Sequence, residues 1–495
     1  MDTGLFMVLT LAAYFALLLA VSRRKGGRGR NDDFFRAGRE SPWWMVAFGM
    51  IGASISGVSF ISVPGWVAST GMSYLQMCMG FIAGYAAVAF VLLPLYYRLR
   101  LTSIYAYAGA RFGPASHRTS ALFFLLSKLT GAAARLYLVC LVLQQFVAGP
   151  LGCPFPLTVL TVLLLIWGYT HRSGIRTLVR TDALQTLCML LALAGVIAVA
   201  VCRLGLSWGG LVELVRESPF SYVFVWDAQS PQAFWRQLLS GAFIVVVMTG
   251  LDQDMMQKNL TCRTLREAQK DMCAYGLTFL PVNFLFLLLG ILLHALCSAR
   301  GIVPPAAGDE LLPRLVASGA LGTWVVVPFT IGIVAAAFSS ADSALTALTT
   351  SCCVDLLGVE RRGYPPARAE RVRRVVHVAM ALAFFACILA FRALNDTNVI
   401  NAIYVMASYT YGPLLGLYAF GLYTRRRVRD RLVPLVALAA PVLCALLDYA
   451  APRLWGYTFG YELLLLNGLL TAAGLWLLSL RMGQAGPSSL KPVAL

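Results

Sequence analysis

Charged residues are scarce in this sequence, and acidic residues are the scarcer kind. Asp, Glu, Lys and Arg make up 13% of the 495 residues, about half of their usual share in soluble domains. With 59% hydrophobic residues, the chain is too apolar for a disordered protein or a soluble globule. The 22 acidic residues stand against 40 Lys and Arg, a formal net charge of +18. In so apolar a chain, this surplus predicts a membrane protein with basic loops on one side rather than a nucleic-acid-binding protein.

Paired metal-ligand spacings are also missing. The twelve Cys show no such spacing and the four His form no cluster, so we expect no metal centre, no haem and no other cofactor. No apolar run carries a His near an activated Ser or Cys, which argues against an intramembrane enzyme. Most Cys lie in apolar runs and are predicted to pack as small hydrophobic residues. Cys153, Cys202 and Cys297 lie near the predicted outer face, where one disulfide is possible.

Apolar runs long enough to cross a bilayer, about 20 residues each, recur along the chain. The longest polar gaps between them, 203–236 and 299–322, are too short to build a soluble core. The sequence therefore predicts one all-α membrane domain with thirteen spans. These are 3–22, 43–69, 73–97, 119–149, 155–171, 177–202, 237–256, 272–298, 323–352, 374–395, 399–423, 432–450 and 459–480.

The positions of the basic residues predict an orientation for these spans. With the N-terminus outside, cytoplasmic segments hold 31 of the 40 Lys and Arg, outer loops hold seven, and two lie inside spans. Cytoplasmic loops of membrane proteins carry such an excess of Lys and Arg. We therefore expect a multi-pass protein of the plasma (inner) membrane, with its N-terminus outside and its C-terminus in the cytoplasm.

Charged side chains inside the spans are costly and indicate function. They are Lys128 and Arg135 in the fourth span, Asp182 in the sixth and Asp342 in the ninth. Lys128 is near enough to the cytoplasmic end to snorkel, whereas Arg135 and Asp342 lie too deep. The four basic residues of 257–270 are assigned to a cytoplasmic loop.

Three further aspartates lie at the ends of spans. Asp252 and Asp254 are near the cytoplasmic end of the seventh span, and Asp355 follows the ninth. The pattern favours interfacial helix caps or ion pairs in loops for all three.

The second span is interrupted by small and hydroxyl residues. Four of its serines precede Pro64-Gly65. Such a segment can unwind inside the membrane and offer its carbonyls to a cation. The alternative is close helix packing through small residues. The four serines are Ser54, Ser56, Ser59 and Ser62.

The ninth span carries a polar face. Ser339, Asp342 and Ser343 follow the i, i+3, i+4 spacing of one helical face. Hydroxyls with one carboxylate make an oxygen site suited to Na⁺. A proton site on Asp342, or a structural ion pair of Asp342 with Arg135, are the alternatives.

Five stretches together resemble the sodium/solute symporter family in its bacterial form, and the likeness covers nearly the whole chain. The resemblance implies a leucine-transporter-like fold, in which two inverted repeats of five helices form the core. The first repeat would occupy 43–202 and the second 203–423, with 1–42 and 424–495 peripheral. The five stretches are Arg111-Phe-Gly, Thr181-Asp-Ala-Leu-Gln185, Gly250-Leu-Asp-Gln-Asp-Met-Met-Gln-Lys258, Ala335-Ala-Ala-Phe-Ser-Ser-Ala-Asp-Ser343 and Gly412-Pro-Leu-Leu-Gly-Leu-Tyr418.

The resemblance also implies two cation sites. The sodium site shared by the family would use backbone carbonyls of the broken first core helix and hydroxyls of the eighth core helix. A second cation site, found in some members, would add an aspartate of the fifth core helix. The shared site corresponds to the Gly52, Ile55 and Ala336 carbonyls with the Ser339 and Ser340 hydroxyls; the second corresponds to Asp182, Ser339, Asp342 and Ser343.

The residues expected at the solute site differ from those of several members. Ser54 and Ser59 stand where proline-type and glucose-type members have an aspartate and a histidine, so Ser54, Ser56 and Ser59 would form a hydroxyl-rich pocket. Arg135 resembles the arginine with which sialic-acid-type members bind the substrate carboxylate. The alternative is that Arg135 neutralises Asp182 or Asp342.

The sequence thus predicts a Na⁺-coupled symporter that imports a small, carboxylate-bearing solute across the lipid bilayer. Sialate or another sugar acid, a monocarboxylate and an amino acid all suit an arginine with serines. A proton-coupled carrier of the same fold is an alternative, as is a symporter-like sensor that acts with a separate partner. A channel is disfavoured because no polar stripe recurs across spans, and no oligomer is required.

Overall fold

The computed structural model describes residues 3–24, 41–170, 174–359, 361–394 and 399–479. Most of the predicted basic loop before the second span, and the C-terminal tail, lie outside these residues. The described helices are α1 (Thr3–Arg24), α2 (Trp43–Ser54), α3 (Gly57–Thr70), α4 (Tyr74–Leu99), α5 (Ala106–Arg111), α6 (Pro114–Ala148), α7 (Phe155–Thr170), α8 (Gly174–Arg203), α9 (Trp208–Glu217), α10 (Phe234–Gly250), α11 (Gln253–Asn259), α12 (Leu265–Ala299), α13 (Leu311–Ala317), α14 (Thr323–Leu356), α15 (Pro366–Leu394), α16 (Val399–Tyr423), α17 (Asp430–Trp455) and α18 (Leu463–Ser479).

Seven helices of the described residues are long and apolar enough to cross a membrane. Two bent helix pairs, α2 with α3 and α10 with α11, raise this number to nine if each pair is one span. Shorter apolar helices cover Met7–Ala20, Phe155–Gly168 and Leu463–Ser479, and α16 has 25 residues. The all-α membrane architecture is confirmed, while the number of thirteen spans stays a prediction.

The predicted second span is unwound at its serine-rich part. α2 ends at Ser54, α3 begins at Gly57, and their axes differ by 57°. Between them, Ile55 and Ser56 have extended backbones, with ψ of 92° and 175°. The last carbonyls of a helix have no intrahelical donors. This break therefore frees backbone oxygens of α2 for other partners.

A second break divides the predicted seventh span, 237–256. α10 ends at Gly250, α11 begins at Gln253, and the two axes differ by 69°. The Asp252 carboxylate accepts the backbone N–H groups of Asp254 at 2.9 Å and Met255 at 3.4 Å. An N-terminal aspartate cap of this kind stabilises a new helix start.

Close packing of α2 on α8 explains the small residues of the second span as well. A Cβ on Gly49 would lie 3.1 Å from the Cβ of Asp182, and a Cβ on Gly52 would overlap the Thr186 hydroxyl. The Gly52 backbone N–H donates to that hydroxyl at 3.1 Å. Both interpretations of this span therefore hold, because the helix packs closely over its first half and unwinds after Ser54. α8 packs along α14 on its other side.

The helices outside the predicted repeats contact the core at its edges. Phe15 of α1 lies against Phe338 of α14, with ring centroids 5.0 Å apart. Asn467 of α18 donates to the backbone carbonyls of Ser408 and Tyr409 in α16, at 3.0 and 2.9 Å. Only 22% of the apolar stretch of α17 is buried, which is typical of a helix that faces lipid. Each predicted repeat begins its membrane part with a broken helix, and the repeat bounds stay predictions.

Candidate functional site

Residues from both helix breaks line one cavity. The four residues predicted to bind solute, Ser54, Ser56, Ser59 and Arg135, all line it. The three serines are close together because they are near neighbours in the sequence. The structure shows that Arg135 of α6 lines the same cavity. Much of the remaining wall is aromatic and includes Tyr74, Phe81, Tyr85, Tyr275, Tyr404 and Tyr411.

Arg135 is half-buried at this cavity. Asp182, one of the two carboxylates considered as its structural partner, forms an ion pair with Lys258 instead, at 2.8 Å. Among the described residues, neither Asp182 nor Asp342 forms an ion pair with Arg135. Lys258, rather than Arg135, is therefore the ion-pair partner of Asp182, and the Arg135 guanidinium lines the cavity.

The hydroxyl of Ser54 belongs to a chain of hydrogen bonds in the cavity wall. It is hydrogen-bonded to the Tyr275 hydroxyl, which also accepts from the Tyr85 hydroxyl at 2.8 Å. The Tyr85 and Tyr275 rings meet edge to face, with centroids 4.6 Å apart. This contact holds Ser54 in place at the end of α2, where the helix breaks.

Two residues predicted for the shared sodium site, Ser340 and Ala336, lie where α2 ends against α14. The Ser340 hydroxyl donates to the Ala53 carbonyl at 3.0 Å and to the Ala336 carbonyl at 3.3 Å. Ala53 lies between the predicted ligands Gly52 and Ile55, so α14 contacts the freed end of α2 through Ser340. Backbone carbonyls and serine hydroxyls are brought together here, which is an oxygen environment suited to Na⁺.

The four residues predicted for the second cation site also form one cluster. Ser339 Oγ donates to Asp182 Oδ1 at 3.0 Å, and Ser343 Oγ lies 3.3 Å from both Asp182 Oδ2 and Asp342 Oδ1. All four side chains are buried. The predicted face of the ninth span thus points at Asp182 of α8. We call Asp182, Ser339, Asp342 and Ser343 the aspartate cluster.

Two lysines and two further aspartates extend this cluster to the cavity. The Lys258 Nζ atom lies 3.7 Å from Asp254 Oδ1, and the Lys128 Nζ atom lies 2.8 Å from Asp254 Oδ2. Lys128 also contacts Asp252 at 3.1 Å. Lys128 and Asp252 line the cavity, so buried charges connect the solute site with the aspartate cluster.

This network corrects four expectations from the sequence. Lys128 does not snorkel, Asp252 and Asp254 form buried ion pairs rather than ion pairs in loops, and Lys258 is not in a loop, since all four side chains are at most 5% exposed. The break after Gly250 is the physical reason, because it turns α11 into the core. For Asp252, Asp254 and Lys258, the signal in the sequence was the stretch 250–258, which it singled out as shared with a family.

Asp355 and the cysteines also differ from the sequence-based expectations. Asp355 is buried and paired with His117 at 2.8 Å, and it also accepts from the Ser103 and Ser351 hydroxyls at 2.8 and 2.7 Å. Asp355 is therefore hydrogen-bonded in the interior rather than paired in a loop. All twelve cysteines are free thiols, so the cysteines near the outer face form no disulfide.

Two broken helices, a polar cavity lined by both, and buried charges beside them are features of secondary transporters, which bind ions and solutes at unwound helices. The sequence profile of the sodium:solute symporter family matches residues 34–430. The chain belongs to this family. It is a multi-pass membrane transporter and not an enzyme.

Individual relatives are distant in sequence but similar over most of the chain. The human sodium/iodide cotransporter is 25% identical over 432 residues, which are 85% of this chain and 66% of that longer protein. A sodium/sialic acid symporter of Aliivibrio fischeri is 24% identical over 462 residues, 89% of this chain and 87% of its own length.

The fold matches solved transporter structures. A Na⁺-coupled sialic acid symporter in a substrate-bound outward-open state superposes with a TM-score of 0.82 at 19% identity, over 98% of this chain and 100% of that one. The nucleobase-cation-symport-1 family transporter Mhp1, in a closed conformation, superposes with a TM-score of 0.55 at 15% identity, over 89% and 92%. At these identities the similarity establishes the leucine-transporter-like fold.

Proposed function

We propose that the protein imports a small carboxylate-bearing organic solute together with Na⁺ by alternating access. The observation that carries the proposal is the Arg135 guanidinium, which lines the cavity beside the broken helix α2–α3 without an ion-pair partner among the described residues. A planar guanidinium binds a carboxylate through two parallel hydrogen bonds. The membership in a sodium:solute symporter family supports Na⁺ as the coupling ion.

The remainder of the cavity suits a solute that has both polar and apolar surface. Ser56 and Ser59 offer hydroxyls on one side, while Tyr74, Tyr404 and Tyr411 line the other walls. A sugar acid such as sialate has hydroxyls and a carboxylate, and two relatives are named for sialic acid. Monocarboxylates and amino acids are the other solute classes in the proposal.

We place the coupling Na⁺ between the end of α2 and α14. Its proposed ligands are the Gly52, Ile55 and Ala336 carbonyls and the Ser339 and Ser340 hydroxyls. The aspartate cluster is proposed as the second cation site, which either an ion or a positively charged side chain can fill. Since the cavity and both clusters come from one chain, transport requires no oligomer. We also propose location in the plasma membrane, with the N-terminus outside and the C-terminus in the cytoplasm.

The free energy released by the entry of one Na⁺ limits how far the transporter can accumulate its solute. Entry of one ion releases about 2.3 kcal/mol per 100 mV of membrane potential, and a tenfold gradient adds about 1.4 kcal/mol. The sum of about 3.7 kcal/mol supports a few-hundred-fold accumulation of a neutral solute. A monoanion that enters against the potential takes back about 2.3 kcal/mol, which leaves about tenfold accumulation per Na⁺.

Binding screens with the purified protein test the proposal. Sialate, lactate and amino acids are each measured with and without Na⁺, on the unmodified protein and on Arg135→Ala. We expect one carboxylate solute to bind in the presence of Na⁺ and to weaken by a factor of about 10 to 100 in Arg135→Ala, because a charge-assisted bidentate contact is lost. Arg135→Lys keeps the charge and is expected to recover part of the affinity.

Arg453→Ala is the matched control, because Arg453 is an exposed arginine remote from the cavity. It is expected to bind the solute normally. Equal binding of every carboxylate by Arg135→Ala would refute the solute assignment. Binding or uptake that persists without Na⁺, and is lost when Asp182 or Asp342 is neutralised, would favour the proton-coupled carrier. Binding without any uptake would favour the sensor.

A further inference from the structure

We infer that the ammonium group of Lys258 is the resident cation of the aspartate cluster, so that the transporter binds one Na⁺ per cycle and uses its own lysine in place of a second ion. The inference rests on the proposed Na⁺ coupling and concerns the number of ions. It starts from the position of Lys258, which the break after Gly250 moves from a predicted loop into the core.

The Lys258 ammonium contacts an oxygen atom that would bind an ion in the aspartate cluster. Its Nζ atom is 2.8 Å from Asp182 Oδ2, the same oxygen that accepts from Ser343 Oγ at 3.3 Å. Asp182 and Lys258 are 0% and 1% exposed. A cation that bound to Asp182 would therefore meet a positive charge already in contact with this carboxylate.

The acceptor capacity of Asp182 is largely used. Oδ1 accepts from Ser339 Oγ at 3.0 Å and, with the Gln185 amide nitrogen turned toward it, from Gln185 at 3.3 Å. Oδ2 is shared by Lys258 and Ser343. A carboxylate offers about four lone-pair positions. These contacts occupy that number, which leaves Na⁺ to compete with a tethered ammonium.

The lysine is held in place from its other side as well. Asp254, one helical turn before Lys258 on α11, has its Oδ1 atom 3.7 Å from the Lys258 Nζ atom. Lys128 binds the other oxygen of Asp254 at 2.8 Å, so Asp254 does not pull Lys258 away from Asp182. Removing one partner of a buried ion pair leaves an uncompensated charge. Lys258 therefore remains at Asp182 throughout Na⁺ binding.

Truncation of the lysine should convert the cluster into an ordinary sodium site. Without the ammonium, the Asp182 carboxylate, the Ser343 hydroxyl and the Asp342 carboxylate face one another at 3.3 Å contacts. These are hard oxygen ligands, the type that binds alkali and alkaline-earth cations. The freed volume of the lysine side chain accommodates the ion and its water.

The test is equilibrium binding of ²²Na⁺ to the purified full-length protein, with no solute present. We expect one Na⁺ per protein for the unmodified chain and two for Lys258→Ala. Combining Lys258→Ala with Asp182→Asn should return the number to one. Lys270→Ala is the matched control, because it removes an exposed lysine of α12, and it should stay at one.

Lys258→Arg keeps a cation in the cluster. If Lys258→Ala does not fold, Lys258→Arg and Lys258→Gln can be compared instead. Lys258→Arg should bind one Na⁺, while Lys258→Gln, which keeps the length but not the charge, should gain the second. Two ions in the unmodified protein, or one ion in both Lys258→Ala and Lys258→Gln, would overturn the inference and leave Na⁺ coupling intact. No ion in the unmodified protein, with one in Lys258→Ala that requires Asp182, would overturn Na⁺ coupling and support the resident lysine.

Discussion

At the scale of single residues, one face of α6 determines much of the cavity. Lys128, Gly131 and Arg135 lie three and four positions apart and all line it. Gly131 stands between the two cations, and a Cβ at this position would meet no atom within 4 Å. The glycine thus leaves space beside the Arg135 guanidinium, where the carboxylate end of a solute would lie.

A larger side chain in this space should weaken solute binding and leave Na⁺ binding unchanged. We predict that Gly131→Leu weakens solute binding by about tenfold or more, since a side chain forced into occupied space costs about 1–3 kcal/mol. ²²Na⁺ binding should be unchanged, because Gly131 lies on the cavity face of α6 and not at the end of α2. Isothermal titration with the solute from the screen measures the first quantity.

Gly168→Leu is the control for this substitution. Gly168 lies on α7, is exposed, and a Cβ at this position would likewise meet no atom within 4 Å. It should bind the solute normally. Normal affinity in Gly131→Leu as well would show that the solute does not occupy the space beside Arg135.

At the scale of helices, the break between α10 and α11 depends on Asp252. Its carboxylate caps α11 and also contacts Lys128 at 3.1 Å and the Tyr411 hydroxyl at 2.7 Å. One side chain thus joins α6, α11 and α16 at the cavity. The break is stable because these partners compensate a buried charge that would otherwise be costly.

Removal of Asp252 should therefore destabilise the protein. We predict that Asp252→Ala lowers the free energy of unfolding by about 3 kcal/mol, because a helix cap and one partner of a buried ion pair are lost together. Asp252→Asn keeps the cap and should lose less. Thermal unfolding of the detergent-solubilised protein compares the variants.

Asp227 provides the matched control for an aspartate cap. It accepts the Gln229 backbone N–H at 3.0 Å in an exposed turn, so Asp227→Ala should change the unfolding temperature little. If Asp252→Ala unfolded at the same temperature as Asp227→Ala, the buried contacts of Asp252 would not stabilise the break.

At the scale of the whole molecule, the charge moved per cycle follows from the ions bound. One Na⁺ that enters with one monoanion transfers no net charge. We predict that uptake of a monoanionic solute into proteoliposomes does not respond to an imposed potassium diffusion potential. Lys258→Ala, with a second Na⁺, should take up the solute faster when the inside is negative.

Voltage dependence in the unmodified protein would contradict a single coupled ion. Because the monoanion cancels the potential term, the resident lysine restricts accumulation to about tenfold for a tenfold Na⁺ gradient. A second Na⁺ would raise this limit. With the lysine in its place, the driving force for accumulation is smaller, but uptake of a monoanion does not depend on membrane voltage.

The sequence predicted many features of the site because they are local. The unwound second span followed from serines and small residues within one segment. The spacing of Ser339 and Ser343 placed both hydroxyls on one face, and both donate to Asp182. Arg135 was predicted to be a functional residue because a charged side chain inside a span is costly.

The sequence by itself determined the membrane class, the positions of most spans and the polar faces. These features depend on hydropathy and helical periodicity, which are properties of residues close together in the chain. The tertiary structure alone decided the second helix break and the partners of the buried charges. The sequence assigns Lys258 to a loop. In the structure α11 turns inward, and the Lys258 ammonium contacts Asp182, which lies 76 positions earlier in the chain. The stability of a buried charge depends on a partner from another part of the chain, which no local pattern contains.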